Sequence, residues 1–261
     1  MLCKTCFTSV DKRSSLTCDT CSSQLHKDCA IKDGGTFCDL CYMVKDELGT
    51  KKESVAVSIP EEIRRTYIET YRSCPFKFLK EVIEGHVAPP TSYTQVGIDL
   101  HEVFDQSCNH PKFDKEYASK YMEKKFKEYG EELFQSGFAS DTREDLFKRS
   151  VDSIDTFYDK ILPSLPTVPF ITEETIRFSV GEGLPKVRFT MDRIDEVDGE
   201  LEMHDWKTGK VMVGQKLSSD LQAPLYIKGT LEHYKKPVRS FTFYYLQENK
   251  TRTFTRTDNP D

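Results

Sequence analysis

The chain has 261 residues, 37% of them hydrophobic and 31% charged, with a formal net charge of −6. That length carries one large domain, or a medium one beside a small one. The acidic balance excludes a strongly basic nucleic-acid binder but leaves room for a local basic groove.

Residues 1–45 read as a Cys-rich module, 46–60 as a linker and 61–261 as the main domain. Seven of the nine cysteines fall in the first 41 residues, and such clustering in a reducing compartment favours metal over disulfides. The candidate ligands are Cys3, Cys6, Cys18, Cys21, His26, Cys29, Cys38 and Cys41. Each C-x2-C pair lets two thiolates converge on one tetrahedral ion, so eight ligands divide into two structural Zn²⁺ sites. With so few apolar residues in the module, the metal is expected to supply its folding energy. The order of four Cys, one His and three Cys resembles a PHD-type finger. That resemblance implies interleaved ligation, with Cys3, Cys6, His26 and Cys29 on one zinc and Cys18, Cys21, Cys38 and Cys41 on the other. The short gap before Cys38, and Thr36 where that family has an aromatic residue, argue against a reader of histone tails. Sequential pairing, as in two small ribbons, stays open. So do contacts of the module with nucleic acid or with a partner protein.

From Glu61 onward the apolar residues take helical spacing: Ile63, Tyr67, Tyr71, then Phe78 and Val82, with Pro75 forcing a break or kink. Residues 94–108 read as a second helix, and 114–135 and 142–162 as two more. After Pro163, Pro166 and Pro169 the pattern turns to strands: 175–180, 186–197, 200–207, 239–247 and 250–257, with a helix over 218–234 between the third and fourth. Helices followed by a three-strand meander, a helix and a hairpin predict an α/β (α+β) domain, a mixed sheet flanked by helices. No stretch approaches the roughly 20 apolar residues of a membrane span. The N-terminus, MLCKTCFTSV, lacks the apolar centre of a signal peptide. A soluble intracellular protein is expected, in the cytoplasm or nucleoid, or in a host cytoplasm if viral.

Asp198-Gly199 is a strong two-residue hairpin signal. Folding there pairs Val197 with Glu200 and carries Asp192 directly opposite Asp205, about 4.5–5.5 Å apart at Cβ. Two facing carboxylates repel unless a divalent cation lies between them, and hard oxygen ligands suit Mg²⁺ or Mn²⁺. Lys207 shares the face of Asp205, while His204 and Trp206 share the other. The arrangement suits metal-assisted phosphodiester hydrolysis. The bland alternative is a solvent-facing hairpin with ordinary Asp and Lys residues.

F-T-M-D-R-I-D at 189–195 and D-W-K-T-G-K at 205–210 resemble the PD-(D/E)xK nuclease superfamily, and within it the RecB/AddB-like exonuclease branch. Phe189 stands for that branch's usual Gly, and Trp206 for its Tyr. Three further motifs match in order: Tyr71, Cys74, Pro75 and Phe78; Gly97 to His101; and Gln222 with Tyr226. The resemblance covers about residues 61–256 and implies a restriction-endonuclease-like fold. It implies that His101, Asp192, Asp205 and the Trp206 carbonyl hold one or two Mg²⁺ or Mn²⁺ ions. Lys207 would then orient the attacking water, and Gln222 and Tyr226 would support Lys207 or position the strand. Relatives with an iron–sulfur cluster use three more cysteines near the C-terminus. This chain has none after Cys108, so Cys74 reads as structural and no iron–sulfur cluster is expected. Glu173 and Glu174, placed just before the first strand, are candidates for an extra acidic group.

These readings combine into a Mg/Mn-dependent deoxyribonuclease, an exonuclease on single-stranded DNA or DNA ends. Its expected setting is DNA repair, recombination or phage replication, beside a helicase or recombinase partner. Tyr67, Arg72, Phe76 and Lys77 are candidates for guiding a single strand by charge and stacking. The alternative is a non-catalytic nucleic-acid or protein-binding adaptor on a nuclease fold. A ubiquitin-ligase-like finger is a third reading, which the place of the single His disfavours.

Overall fold

A computed structural model describes residues 11, 15–19, 22–38, 59–135, 141–211 and 220–255. The chain divides into two compact units, Met1–Val57 and Ser58–Asp261. Cys3, Cys6, Cys21 and Cys41 lie outside the described residues, as does the linker apart from Ile59 and Pro60.

The first unit holds two minimal antiparallel pairs, β1 (Leu16–Thr17) with β2 (Gln24–Leu25) and β3 (Ile31–Lys32) with β4 (Thr36–Phe37). Its buried centre is Cys18, Leu25 and Cys38, with Cys29 and Ala30 packed against it. The Cys38 N–H donates to Cys18 Sγ at 3.4 Å. Two chain segments twenty residues apart are thus joined sulfur-side inward.

The second unit starts with β5 (Glu62–Ile63) and α1 (Arg65–Ser73). Pro75 breaks the helix as its missing N–H requires. It becomes the first residue of α2 (Pro75–Phe78), and Cys74 Sγ caps that turn by accepting the Lys77 N–H at 3.4 Å. Then come α3 (Ser92–Asn109), α4 (Lys115–Glu128), α5 (Glu131–Gln135) and α6 (Arg143–Thr156). The single helix expected over 114–135 is interrupted, since Tyr129 turns extended as the end of α4 and Gly130 follows. The helix expected over 142–162 opens with a capping box between Thr142 and Asp145 and loosens after Thr156 into a wide turn over Phe157–Ile161.

The sheet consists of β6 (Ile171–Ser179), β7 (Lys186–Val197), β8 (Glu200–Lys207), β9 (Val238–Tyr245) and β10 (Lys250–Thr255), joined by β5. It is mixed, as expected. Pairs β6–β7, β7–β8 and β9–β10 are antiparallel. The β8–β9 pair is parallel, because α7 (Gln222–Tyr234) carries the chain across between those strands. β5 runs parallel to the first residues of β7. One core lies on the side of α3, α4 and α6 and takes Trp206 from the sheet. The other lies under α7 and takes Met191, Leu201, Met203, Phe241 and Phe243. Phe189, which occupies a glycine position of the family resembled above, has its space made by another glycine. A Cβ on Gly229 of α7 would stand 2.5 Å from the Phe189 ring. Among the described residues no helix is long and apolar enough to cross a membrane.

Candidate active site

The hairpin turns at Asp198-Gly199, both at positive φ, and Val197 pairs with Glu200 as the sequence predicts. The pairing then stops at Arg193–His204, one step short of Asp192 and Asp205. The two aspartates are therefore not a ladder pair. Instead, Asp192 Oδ2 accepts the Trp206 backbone N–H at 2.6 Å. Capping an N–H in this way lets the strands part at the point where two carboxylates would repel. Thr190, two residues before Asp192, pairs with Thr175 of β6.

Parting the strands opens one end of the sheet to α3. His101, on the third turn of α3, brings Nδ1 within 3.2 Å of Asp192 Oδ1. Glu173 comes from the other side, on β6. It lies inside that strand rather than before it, and it adopts φ +45 there. A non-glycine residue in this region is strained by about 1–3 kcal/mol, the kind of outlier that clusters at functional sites. Ligand atoms of His101, Glu173 and Asp192 all lie within 4.8 Å of one another. Glu173 is the residue that sequence patterning undervalued. Its placement depends on a backbone conformation that no periodicity encodes.

Asp205 lies beside that cluster and is engaged by other side chains. Its Oδ2 forms an ion pair with Lys207 Nζ at 2.5 Å, and its Oδ1 accepts from Gln222 Nε2. Gln222, the first residue of α7, completes the triangle by accepting from Lys207 Nζ at 2.8 Å. Its own N–H is held by Asp220 at 3.0 Å, and Asp220 also meets Arg65 of α1 at 3.4 Å. Tyr226, one turn further along α7, lies in the core. Its ring stacks on Phe189 at 4.1 Å and meets Phe241 edge-on. Trp206 is buried on the opposite side of the sheet, edge-on to Phe157.

The electrostatics mark the cluster as short of positive charge. Burial, the largest single influence, would lower the His101 imidazole, but the charge and hydrogen bond of Asp192 and the charges of Asp205 and Glu173 together outweigh it and push it up to about 9. Glu173 is pushed up to about 7, first by partial burial and then by the Asp192 charge. Asp205 rises to about 6 because burial outweighs the Lys207 ammonium. An imidazole with carboxylates converging on one point suits a hard divalent cation such as Mg²⁺ or Mn²⁺. The cluster lines a cleft of about 650 Å³ that runs along α3 past Gly97 and Tyr93 to Thr208.

The PD-(D/E)XK nuclease superfamily matches residues 65–259, a span that holds the whole of this site. No curated protein matches the chain.

Proposed function

The chain belongs to the PD-(D/E)XK nuclease superfamily, and from that premise we propose that it is a Mg/Mn-dependent deoxyribonuclease. We take its substrate to be single-stranded DNA or DNA ends, and its mode to be exonucleolytic, following the RecB/AddB-like motifs. The observation that carries the reading is the convergence of His101, Glu173 and Asp192.

His101, Asp192 and Glu173 would hold the divalent ion, with Asp205 and the Trp206 carbonyl completing its shell. Bound there, such an ion polarises a phosphate and lowers the pKa of an attacking water. The chain's own residues do the rest. Lys207, fixed by Asp205 and Gln222, presents an ammonium to the attacking water and to charge developing on the phosphate. A water oxygen bonds to phosphorus and a P–O ester bond breaks. The products are a phosphate monoester and an alcohol that takes up the proton. Tyr226 supports this from behind, by packing α7 against β7.

We further assign two structural Zn²⁺ ions to the N-terminal unit. The Cys38 N–H to Cys18 Sγ contact joins two residues that interleaved ligation puts on one zinc and sequential ligation puts on different ones. Two zinc per chain, with melting of this unit alone on chelation, is the expected result. A metal-free fold would remove the assignment. The net charge of −6 fits recruitment to DNA by a helicase or recombinase on a separate chain.

The test is cleavage of end-labelled single- and double-stranded DNA, linear and circular, with Mg²⁺, Mn²⁺ or EDTA, beside Lys207→Ala. Metal-dependent cutting that drops by on the order of 10²–10³ in the variant is expected, with circles spared. Full activity in Lys207→Ala would remove Lys207 from the mechanism. No cutting by the folded, metal-loaded chain would favour the adaptor.

A further inference from the structure

The cleft does not end at the metal cluster. Beyond Thr208 and Tyr93 it continues into a second pocket of about 310 Å³, lined by Arg149 of α6 and by Gly209, Lys210 and Gln247. Tyr93 and Thr208 line both spaces. The Gln247 side chain donates to the Thr208 carbonyl at 2.5 Å and holds the loop after β8 against the passage. Arg149 is fixed by Asp141 at 2.5 Å, and Asp141 also accepts from the Tyr93 hydroxyl. An arginine fork has five N–H donors, more than that contact uses. Lys210 lies exposed on the loop.

The wall between the two spaces has a different character. α3 buries Val96, Leu100, Val103 and Phe104 against the helical core, yet leaves Tyr93 40% and Ile98 54% exposed toward the cleft. Gly97 stands between them and adds no side chain; a Cβ there would reach Thr208 Oγ1 at 3.4 Å. Tyr93 stands about 12 Å along the helix axis from His101. Between Tyr93 and Ile98 the wall is therefore apolar and aromatic, before α3 turns acidic at Glu102 and Asp105 toward the metal cluster, and the far end carries Lys210 and the Arg149–Asp141 pair.

We propose that this passage is a single-strand track, in which unpaired bases lie on Tyr93 and Ile98 while a phosphate next to the scissile one is held by Arg149 and Lys210. The proposal rests on the nuclease reading and deepens it, by assigning the strand state of the substrate and residues that select it. Base stacking on an aromatic ring requires a π-face that a duplex keeps covered. Arginine and lysine read the backbone, whatever the sequence. Asp141 serves as an orienting partner, holding Arg149 at the passage.

Binding of a short labelled single strand and of a blunt duplex of equal length, to the full zinc-loaded chain with no added Mg²⁺ or Mn²⁺ across a salt series, tests the track without cleavage. Arg149→Ala and Lys210→Ala are each expected to weaken the single strand several-fold and to flatten the salt slope by about 0.7. Tyr93→Ala should weaken the single strand about fivefold or more and leave the duplex little changed. Tyr93→Phe, which keeps the ring and loses only the hydroxyl, should bind like the wild type. If Arg149→Ala unfolds α6, Lys210→Ala carries the phosphate arm, since Lys210 is exposed on a loop. Wild-type affinity and slope in Lys210→Ala together with either Arg149→Ala or Tyr93→Ala would overturn the track. Equal weakening of duplex and single strand by Tyr93→Ala would overturn the base platform. Hydrolysis of bis(p-nitrophenyl) phosphate by the wild-type chain with Mn²⁺ reports separately on the nuclease reading. Its failure leaves the binding arms to decide the track.

Discussion

Asp192 and Asp195 stand three residues apart on β7, both buried, and the fold puts them to opposite uses. Asp195 is matched. Arg193, itself wholly buried, reaches both of its oxygens from Nε at 3.0 Å, and His204 Nε2 lies 3.1 Å away. Burial alone would raise the Asp195 carboxyl, yet His204 and Arg193 hold it below its ordinary value. Asp192 instead joins Glu173 and His101 in a cluster that pushes neighbouring protons up. In D-R-I-D, strand alternation puts Asp195 on the face of Arg193 and Asp192 on the other face. What separates them is whether the fold supplies a cation. A buried carboxylate with its own arginine holds structure, whereas one grouped with other acids calls for a cation from outside.

Substitution at each aspartate breaks the comparison most directly. Asp195→Ala strands the Arg193 guanidinium in the core and should destabilise the chain by about 3–5 kcal/mol, read as a fall in the midpoint of urea unfolding. Asp192→Asn should leave that midpoint unchanged or raised, while metal-dependent cleavage falls by more than about 100-fold. Equal destabilisation by the two substitutions would mean that both acids are structural.

Glu173 sharpens the contrast within the cluster. Its positive φ suits glycine, so Glu173→Gly exchanges about 1–3 kcal/mol of strain for about 0.5–1 kcal/mol of glycine entropy. The metal-free variant should be more stable by about 1 kcal/mol. Titration calorimetry with Mn²⁺ should show weaker binding in the same variant. A gain in stability with undiminished Mn²⁺ affinity would remove Glu173 from the ligand set.

The pH dependence has a definite sign. His101, Glu173 and Asp205 all hold their protons more tightly in the folded chain than their ordinary values imply, at about 9, 7 and 6. Stability from such groups is complete below their unfolded values and is lost as pH rises through the folded ones. The metal-free chain should therefore lose melting temperature between about pH 4 and 7 through the carboxylates, then up to about pH 9 through His101. The Glu173 share is trimmed by its exposure to solvent. Saturating Mg²⁺ or Mn²⁺ binds the deprotonated ligands and should flatten that slope. Scanning calorimetry in EDTA and in Mg²⁺ across this range gives the comparison. A melting temperature that rises with pH in EDTA would contradict the cluster's electrostatics.

Much of this was legible in the chain, because the hairpin obeys local rules. Strand alternation and Asp198-Gly199 give β7 and β8 their observed limits and put Lys207 beside Asp205. The Gly97-to-His101 motif, which the resemblance supplied, names an imidazole that stands 3.2 Å from Asp192. Illegible parts depend on contacts between distant segments. β5 is two residues long and exists through its pairing with Lys186 and Val187. Glu173 owes its place to a strained backbone rather than to a pattern. The ladder ends early because Asp192 takes a main-chain donor from the opposite strand, which alternation of faces does not foresee.

The smallest effect concerns Tyr226, which lies where site and core meet. Its sequence offset from Gln222 puts both on one face of α7, and burial, followed by the Asp205 charge, raises its hydroxyl above the ordinary tyrosine value. Its ring, however, belongs to the stack with Phe189 that Gly229 makes room for. Tyr226→Phe retains that stack, so stability should change by no more than about 1 kcal/mol and cleavage by only a few-fold. Tyr226→Ala empties the stack and should cost about 3–5 kcal/mol. The pair of substitutions separates hydroxyl from ring. A hundredfold loss of cleavage in a stable Tyr226→Phe would move this residue from the packing that supports α7 into the chemistry beside Lys207. A small loss leaves Gln222, which touches both Asp205 and Lys207, as the contact through which α7 acts on the site.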